Sequence, residues 1–349
     1  MPRLSVLDQS PVREGGTGSG ALHDTLDLAR LADQLGYHRY WVAEHHGGPM
    51  LAGPAPEVLI GPIASVTSRI RVGSGGVMLP HYSPLKVAEA FSLLAGLFPE
   101  RIDLGLGRAS GTDPLTTYAL QRDRRDAAPD DFPQQLVELL MYFNDSFPDG
   151  HRFARLAGSL PGRPETPEPW LLGSSPQSAI WAAELGLPYA FADFIAPQNE
   201  AIAADYRARF QPSERLRDPQ TTVAAWVLTA DTAEEARYLA TSSRMAFKML
   251  RRGRLIPVPT PEQAVRFLES EGEDPLTPNP SAATRRTIVG GVDQVRAQVE
   301  QLADDYGADE VVVVTITHDH AARRRSYELL ADAFDLPRAA PAVGAHQRS

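Results

Sequence analysis

The stretch that decides the fold is "IRVGSGGVMLPHYSPLKVAEAFSLLAGLFPERIDLGLGR", residues 70–108. It opens with a short apolar run, crosses a polar turn, and carries apolar residues at helical spacing over 83–98. It closes with a second apolar run. Two strands joined through a helix make a βαβ unit, and its strands are parallel. The same alternation extends in both directions. Upstream lie "LSVLD", a helix over 21–35 stopped by Gly36, "RYWVAE", and a helix over 57–68. Downstream come a helix over 132–147, "WLLGS", a helix over 176–185, "YAFADF" and a helix over 198–210. "TTVAAWVLT", helices over 232–250 and 292–306, and "EVVVVTIT" complete the series. The eight strands are apolar nearly throughout, as strands covered on both faces are. Eight units predict an α/β fold, a closed (β/α)8 TIM barrel, with a doubly wound open sheet as the competing architecture.

A plain barrel takes about 250 residues, so a chain of 349 must carry insertions in its βα loops. The candidates are 111–130, 149–169 and 251–286. The last is long, proline-rich and helix-poor at its end, which suits an active-site lid or mobile segment. Residues 1–336 are expected to form one domain, with 337–349 as a flexible C-terminal tail.

A net charge of −10 argues against nucleic acid as a partner, because binding it needs a cationic surface. The short basic runs at 122–125, 251–254 and 323–325 lie near acids or in helical segments and read as solvated faces. Without cysteine there are no disulfides, thiolate metal sites or cysteine nucleophiles. The start "MPRLSVLDQSP" lacks the apolar stretch of a signal peptide, and no run of about 18 apolar residues occurs. The expectation is a cytoplasmic protein with no membrane partner.

In a barrel of this kind the working groups sit at the C-terminal strand ends. Those ends read Asp8-Gln9-Ser10, Glu44-His45-His46, Ser74-Gly75-Gly76, Gly107-Arg108, Gly173-Ser174-Ser175, Asp193, and His318-Asp319-His320. "GSSPQSAIWAAELG" is the clearest local device. Ser175 suits an N-cap, Pro176 the first helical position, and Gly186 the stop. Such a helix start favours an anion, and Arg108 on the neighbouring strand adds a guanidinium suited to phosphate. Ser174 and Ser178 are candidate hydroxyl donors; a well-capped helix with no ligand is the alternative. Adjacent His45 and His46 point to opposite sides in extended chain, so one faces the cavity and the other packs or hydrogen-bonds. His318 and His320 have ligand spacing, but no third ligand is evident, and capping by Asp319 or Thr317 is the ordinary explanation. "GSGGVMLP" lacks a full dinucleotide fingerprint; its paired glycines suggest unusual backbone geometry or the close approach of something flat.

Together these residues resemble the bacterial luciferase-like flavin-dependent monooxygenases. The likeness is carried by "LDQSP", "GYHRYWVAEHH", "RIRVGSGGVMLPHYSPLKVAE", "ERIDLGLGR", "LLGSSPQSAIWAAELGLPYAFADF" and "GADEVVVVTITHDHAARRRSYELLADAF", over residues 3–336. The resemblance implies that reduced FMN, supplied by a separate flavin reductase, reacts with O2 to give a C4a-hydroperoxide. This would oxygenate a small organic substrate such as an aldehyde or other carbonyl compound. It implies His45 as the catalytic histidine, aided by Glu44, and a non-proline cis peptide at Gly75-Gly76 beneath the flavin ring. Met78 joins those glycines as a cofactor-binding residue, and Arg108, Ser174, Ser175 and Ser178 match the FMN-phosphate site. No metal is implied, and a homodimer through the helices after strands two and three is. Luciferase itself has glutamate at the Ser174 position and cysteine at Gly107, which speaks against light emission. A deazaflavin-dependent hydride-transfer enzyme of the same superfamily, a flavin-binding protein without turnover, and a metal hydrolase using His318 and His320 are the alternatives.

Overall fold

The computed structural model describes residues 1–108, 113–120, 131–197, 199–277 and 287–338. In chain order the elements begin with β1 (Arg3–Asp8), α1 (Gly18–Leu35), β2 (Arg39–Val42), α2 (Pro56–Ser65), β3 (Arg71–Met78), α3 (Pro84–Leu97) and β4 (Ile102–Gly107). There follow α4 (Pro114–Leu120), α5 (Phe132–Asn144), α6 (Ala154–Ala157), β5 (Glu168–Gly173), α7 (Pro176–Glu184), β6 (Tyr189–Ala192) and α8 (Glu200–Arg209). The last are β7 (Thr221–Ala230), α9 (Ala233–Arg251), α10 (Pro261–Ser270), β8 (Thr287–Gly291), α11 (Val292–Tyr306), β9 (Glu310–Val314) and α12 (His320–Ala333).

Strands β1 to β7 pair in order, β7 pairs with β9, and β9 returns to β1, so eight parallel strands close into a ring. The expected (β/α)8 barrel is what forms. Its two faces follow from strand alternation. Leu7, Trp41, Trp170, Ala224, Val312 and Val314 cluster inside the ring. Val6, Val42, Leu171, Val223, Val311 and Val313 pack outward beneath the helices.

At the N-terminal end the lumen is closed by charge. Arg39, 3% exposed, donates to Asp103 at 2.8 Å and to Glu310 at 3.2 Å, and its guanidinium lies 4.6 Å from the centre of the Trp170 ring. The Trp41 indole N–H donates to the same Asp103 at 2.9 Å, and the Trp41 and Trp170 rings meet edge to face. Ions this deep persist because each is paired and hydrogen-bonded. These groups fill the lower half of the lumen, which leaves the C-terminal strand ends as the place for a site.

One feature corrects the sequence reading. A ninth strand, β8, pairs with the distal half of β7 (Trp226–Ala230), beyond the part of β7 (Thr222–Trp226) that pairs with β9. The ten residues of β7 are all buried because its two halves serve different neighbours. Five residues ending in two glycines gave β8 no readable periodicity. The 251–286 segment, expected to be helix-poor at its end, carries α10 in its middle, begun by Pro261 behind the Thr260 cap, whose hydroxyl accepts from the Gln263 N–H at 3.3 Å. Of the predicted insertions, 149–169 is described throughout, whereas 111–112 and 121–130 of the first, 278–286 of the third, and the tail beyond 338 lie outside the described residues.

Candidate active site

The C-terminal rim between β2 and β3 is organised by one carboxylate. Glu44, 1% exposed, accepts from the Met78 backbone N–H at 2.9 Å, and its other oxygen lies 2.7 Å from His46 Nε2. The Tyr82 hydroxyl also hydrogen-bonds to it. Burial raises the Glu44 pKa, and the contacts with His46, Met78 and Tyr82 oppose the rise. Glu44 thus ties the end of β2 to the end of β3, and its oxygens are engaged by protein groups. His46 is the histidine that pairs.

His45 is the other one. Its backbone N–H donates to the Gly53 carbonyl at 3.0 Å, while its Nδ1 is buried with no hydrogen-bond partner among the described residues. Burial, and then the neighbouring His46, lower its pKa to about 4. His45 therefore stands in the site as a neutral imidazole across the physiological range. His81 packs its ring edge-on to His46 at 6.0 Å, and burial lowers its pKa as well. Neither His81 nor Tyr82 was singled out from sequence; the signal was the polar "HYS" run directly after β3.

The Gly75-Gly76 peptide is cis, and the register of β3 against β4 shifts between Ser74 and Val77. A Cβ on Gly76 would lie 2.7 Å from the Gly105 carbonyl oxygen, and one on Gly75 3.1 Å from the Trp41 Cβ. Close approach is thus by the barrel's own strands, which accounts for these glycines before any ligand is considered.

On the next two strand ends, β4 and β5 pair up to Leu106 and Leu171, so Arg108 and Gly173 leave the barrel side by side. The Arg108 guanidinium lies 5.8 Å from the centre of the Trp181 ring on α7. Ser175 caps α7, its hydroxyl 3.4 Å from the Ser178 N–H, with Pro176 in first position as expected. Ser174 is half-buried, and its carbonyl accepts from the Asn199 side chain at 3.5 Å. Ser178 differs from expectation. It is buried, and its hydroxyl lies 2.6 Å from the Tyr189 hydroxyl and 3.0 Å from Ser175 Oγ. Gly173 makes room for that pair, since a Cβ there would sit 2.8 Å from the Tyr189 hydroxyl oxygen. The Ser178 hydroxyl thus braces the helix start against Tyr189, while Arg108 lies over the Trp181 ring of the same helix.

The remaining candidates are separated from this cluster by their partners. Asp319 caps α12, accepting from Ala322 N–H at 2.8 Å. His318 Nε2 lies 3.2 Å from the Glu14 carbonyl oxygen and His320 Nε2 2.8 Å from Asp27. The two imidazoles address different elements. Asp193 hydrogen-bonds to the Tyr306 hydroxyl at 2.7 Å, and Asp8 pairs with Arg323 at 2.7 Å.

Acid should loosen this site in a defined window. His45 and His38, both lowered to about 4, and His81 resist protonation when folded, whereas an unfolded histidine titrates near 6.5. Between those values the unfolded chain binds more protons. Stability is therefore present above about pH 6.5 and lost as pH falls towards 4. Glu44, raised, acts in the opposite direction near its own titration. The wild-type Tm is expected to drop by about 3 °C or more between pH 7 and pH 5. The drop should shrink in His38→Gln; an unchanged slope in that variant would remove His38 from the account.

A parallel barrel closed below by ion pairs, with a neutral imidazole and a capped helix start at its C-terminal strand ends, is the frame of a barrel enzyme that works on small molecules. The chain belongs to the luciferase-like monooxygenase family, whose model matches residues 3–310. It is 42% identical over 330 residues to a luciferase-like monooxygenase of Escherichia coli strain K12, covering 94% of this chain and 96% of that protein. It is 40% identical to the N-acetyl-S-alkylcysteine monooxygenase of Bacillus subtilis, covering 95% and 98%. Among solved structures, apo-MsnO8 superposes with a TM-score of 0.87 at 42% identity, covering 97% of this chain and 99% of that one. The protein is accordingly a luciferase-like monooxygenase.

Proposed function

We propose that the enzyme takes reduced FMN from a separate reductase and, with O2, oxygenates a small organic substrate at the open end of the barrel. The observation that carries this reading is that Arg108 leaves β4 beside the end of β5 and reaches α7, its guanidinium over the Trp181 ring, so that a cation and a helix start lie on one stretch of rim. These residues fit the phosphate of FMN. Gly75, Gly76 and Met78 offer the flat backbone edge for its ring, and the unpartnered His45 Nδ1 offers a polar atom at the same rim. Reduced flavin supplies the electrons that activate O2. The protein's part is placement, exclusion of water and a neutral imidazole that holds or passes a proton at Nδ1. Glu44 positions this edge by fixing Met78 and His46. The substrate class is an uncharged carbonyl or thioether centre; the thioether comes from the Bacillus relative's S-alkylcysteine substrate.

The test measures affinity for reduced FMN and for the deazaflavin coenzyme anaerobically, then O2 uptake. Arg108→Ala is expected to weaken FMN about 10–100-fold, the worth of a charge-assisted contact. Ser178→Ala should change it less than about 3-fold, because its hydroxyl faces Tyr189. Preferential binding of the deazaflavin with no O2 uptake would favour the hydride-transfer alternative. A homodimer is proposed through α2 and α3, where Val58, Leu93 and Leu97 are 65%, 51% and 69% exposed; sedimentation equilibrium measures it.

A further inference from the structure

Across the rim from the glycine-rich edge of β3 and β4 stands a wall of three aromatic rings. Trp226, on β7, turns into the lumen, 7% exposed. Phe194, just past β6, meets it at 5.3 Å and 70°, and Phe247 of α9 at 4.8 Å and 53°. Both phenylalanines are half-buried. Met50 and Leu51, from the loop that begins with Glu44-His45-His46, join the same cluster, so wall and histidines bound one opening. The cluster runs from Leu7 and Trp170 below to Ile316 above, and the ions that touch its base, Arg39 against Trp170 and Asp103 at the Trp41 N–H, lie at the opposite end from the wall. Of the cluster's three indole N–H groups, those of Trp41 and Trp170 donate to Asp103 and Glu168, whereas that of Trp226 is buried without a hydrogen-bond partner among the described residues.

Fold and core packing explain why the lumen is apolar, but not why it keeps an unpaired donor. A buried N–H left unmade carries a penalty that an apolar side chain of the same shape would avoid. Phenylalanine would fill most of that volume with no donor. We propose that Phe194, Trp226 and Phe247 are the substrate-selecting surface of this enzyme. They take an uncharged molecule whose alkyl or aryl part lies on the two phenyl rings. Its single acceptor oxygen meets the Trp226 N–H once one of the rings covering that N–H turns aside. This rests on the monooxygenase reading for its purpose, but it assigns the site by the chemistry of the wall alone. A carboxylate placed there would lose hydration with no cation to meet it.

The experiment uses the full chain saturated with oxidised FMN and titrates 2-butanone through 2-nonanone calorimetrically, with hexanoate as the charged counterpart of 2-heptanone. Affinity should rise about 2–4-fold per methylene as apolar surface is buried, and hexanoate should bind at least 10-fold more weakly than 2-heptanone. Phe247→Ala should flatten the chain-length slope. Trp226→Phe should lower every ketone about 3–10-fold and leave the slope unchanged, since it removes a donor and keeps a ring. Phe247→Leu, a gentler change, should retain most of the slope and guards against a folding defect in the alanine variant. A flat slope in the wild type, equal binding of hexanoate, or variants indistinguishable from wild type would overturn the assignment. FMN affinity, measured in the same samples, reports on the cofactor reading separately. Ketones failing while FMN binds removes the wall alone; FMN failing while the slope survives removes the cofactor alone.

Discussion

Replacing His45 by alanine is expected to reduce turnover about 10²–10⁴-fold, the range for a positioned proton-handling group. Affinity for reduced FMN should stay within about 3-fold. The split follows from the geometry. The residues proposed to meet the phosphate, Arg108 after β4 and Ser175 before α7, are apart from His45 at the end of β2, whose Nδ1 has no hydrogen-bond partner among the described residues. Its depressed pKa, about 4, sharpens the expectation. An imidazole that is already neutral acts as a hydrogen-bond donor or proton acceptor, not as an imidazolium acid. The pH dependence of kcat/KM should therefore show no inflection attributable to His45 between about pH 5.5 and 7.5. His45→Gln, which keeps polar atoms but cannot titrate, should recover part of the loss. A wild-type inflection near 6.5 that vanishes in His45→Gln would show that the histidine is charged at rest and would reverse the assignment. Undiminished turnover in the alanine variant would remove it from the reaction.

The second large effect concerns the fold. Arg323→Met is expected to lower stability by about 3–5 kcal/mol, because it strands a buried carboxylate. Asp8 is fully buried, and Arg323, 2% exposed, donates to it at 2.7 Å and to the Thr315 carbonyl at 3.0 Å. The Tyr40 hydroxyl at 2.5 Å and the Ser10 N–H at 2.7 Å complete the Asp8 shell. Arg323, Tyr40 and those hydrogen bonds hold the Asp8 carboxyl below the usual range against the opposing effect of burial. The cluster joins α12 to β1 and so helps to close the ring where the chain's last elements meet its first. Adding Asp8→Asn to Arg323→Met should recover much of the loss, since no buried charge then remains. Urea midpoints of the two single variants and the double variant measure this, and equal destabilisation by single and double would mean the pair is not coupled.

Both expectations bear on how the site works. A monooxygenase of this family must hold a reactive flavin away from bulk water, and a barrel sealed from below is suited to that. The Arg39, Asp103 and Glu310 layer closes one end while Trp41 and Trp170 fill the middle. The other end is left to a rim on which Glu44 fixes the polar edge and the aromatic wall faces it.

The readable parts of this molecule were those fixed by local rules. Strand and helix periodicity identified the eight barrel strands, and the cap at Ser175-Pro176 needed only neighbours three residues away. The choice between His45 and His46 was only half legible. Alternation says that the two diverge, but which one pairs depends on Glu44 being buried beside the Met78 N–H, a contact across 34 residues. Ser178 reads from sequence as a candidate hydroxyl donor beside Ser174; that its hydroxyl meets Tyr189 was not legible, because Tyr189 arrives from the following strand. The wall of Phe194, Trp226 and Phe247 draws on three separate elements and has no local signature at all.

By itself, then, the sequence determined the alternating strands and helices, the polar strand ends, the capped helix and the family, since periodicity and short motifs are properties of neighbouring residues. Tertiary structure alone decided which histidine is left neutral and unpartnered, which serine braces the helix start, where the ninth strand attaches, and which rings look across the opening. Those outcomes depend on burial and on hydrogen bonds between distant segments, and a residue's desolvation is set by whatever the fold places against it.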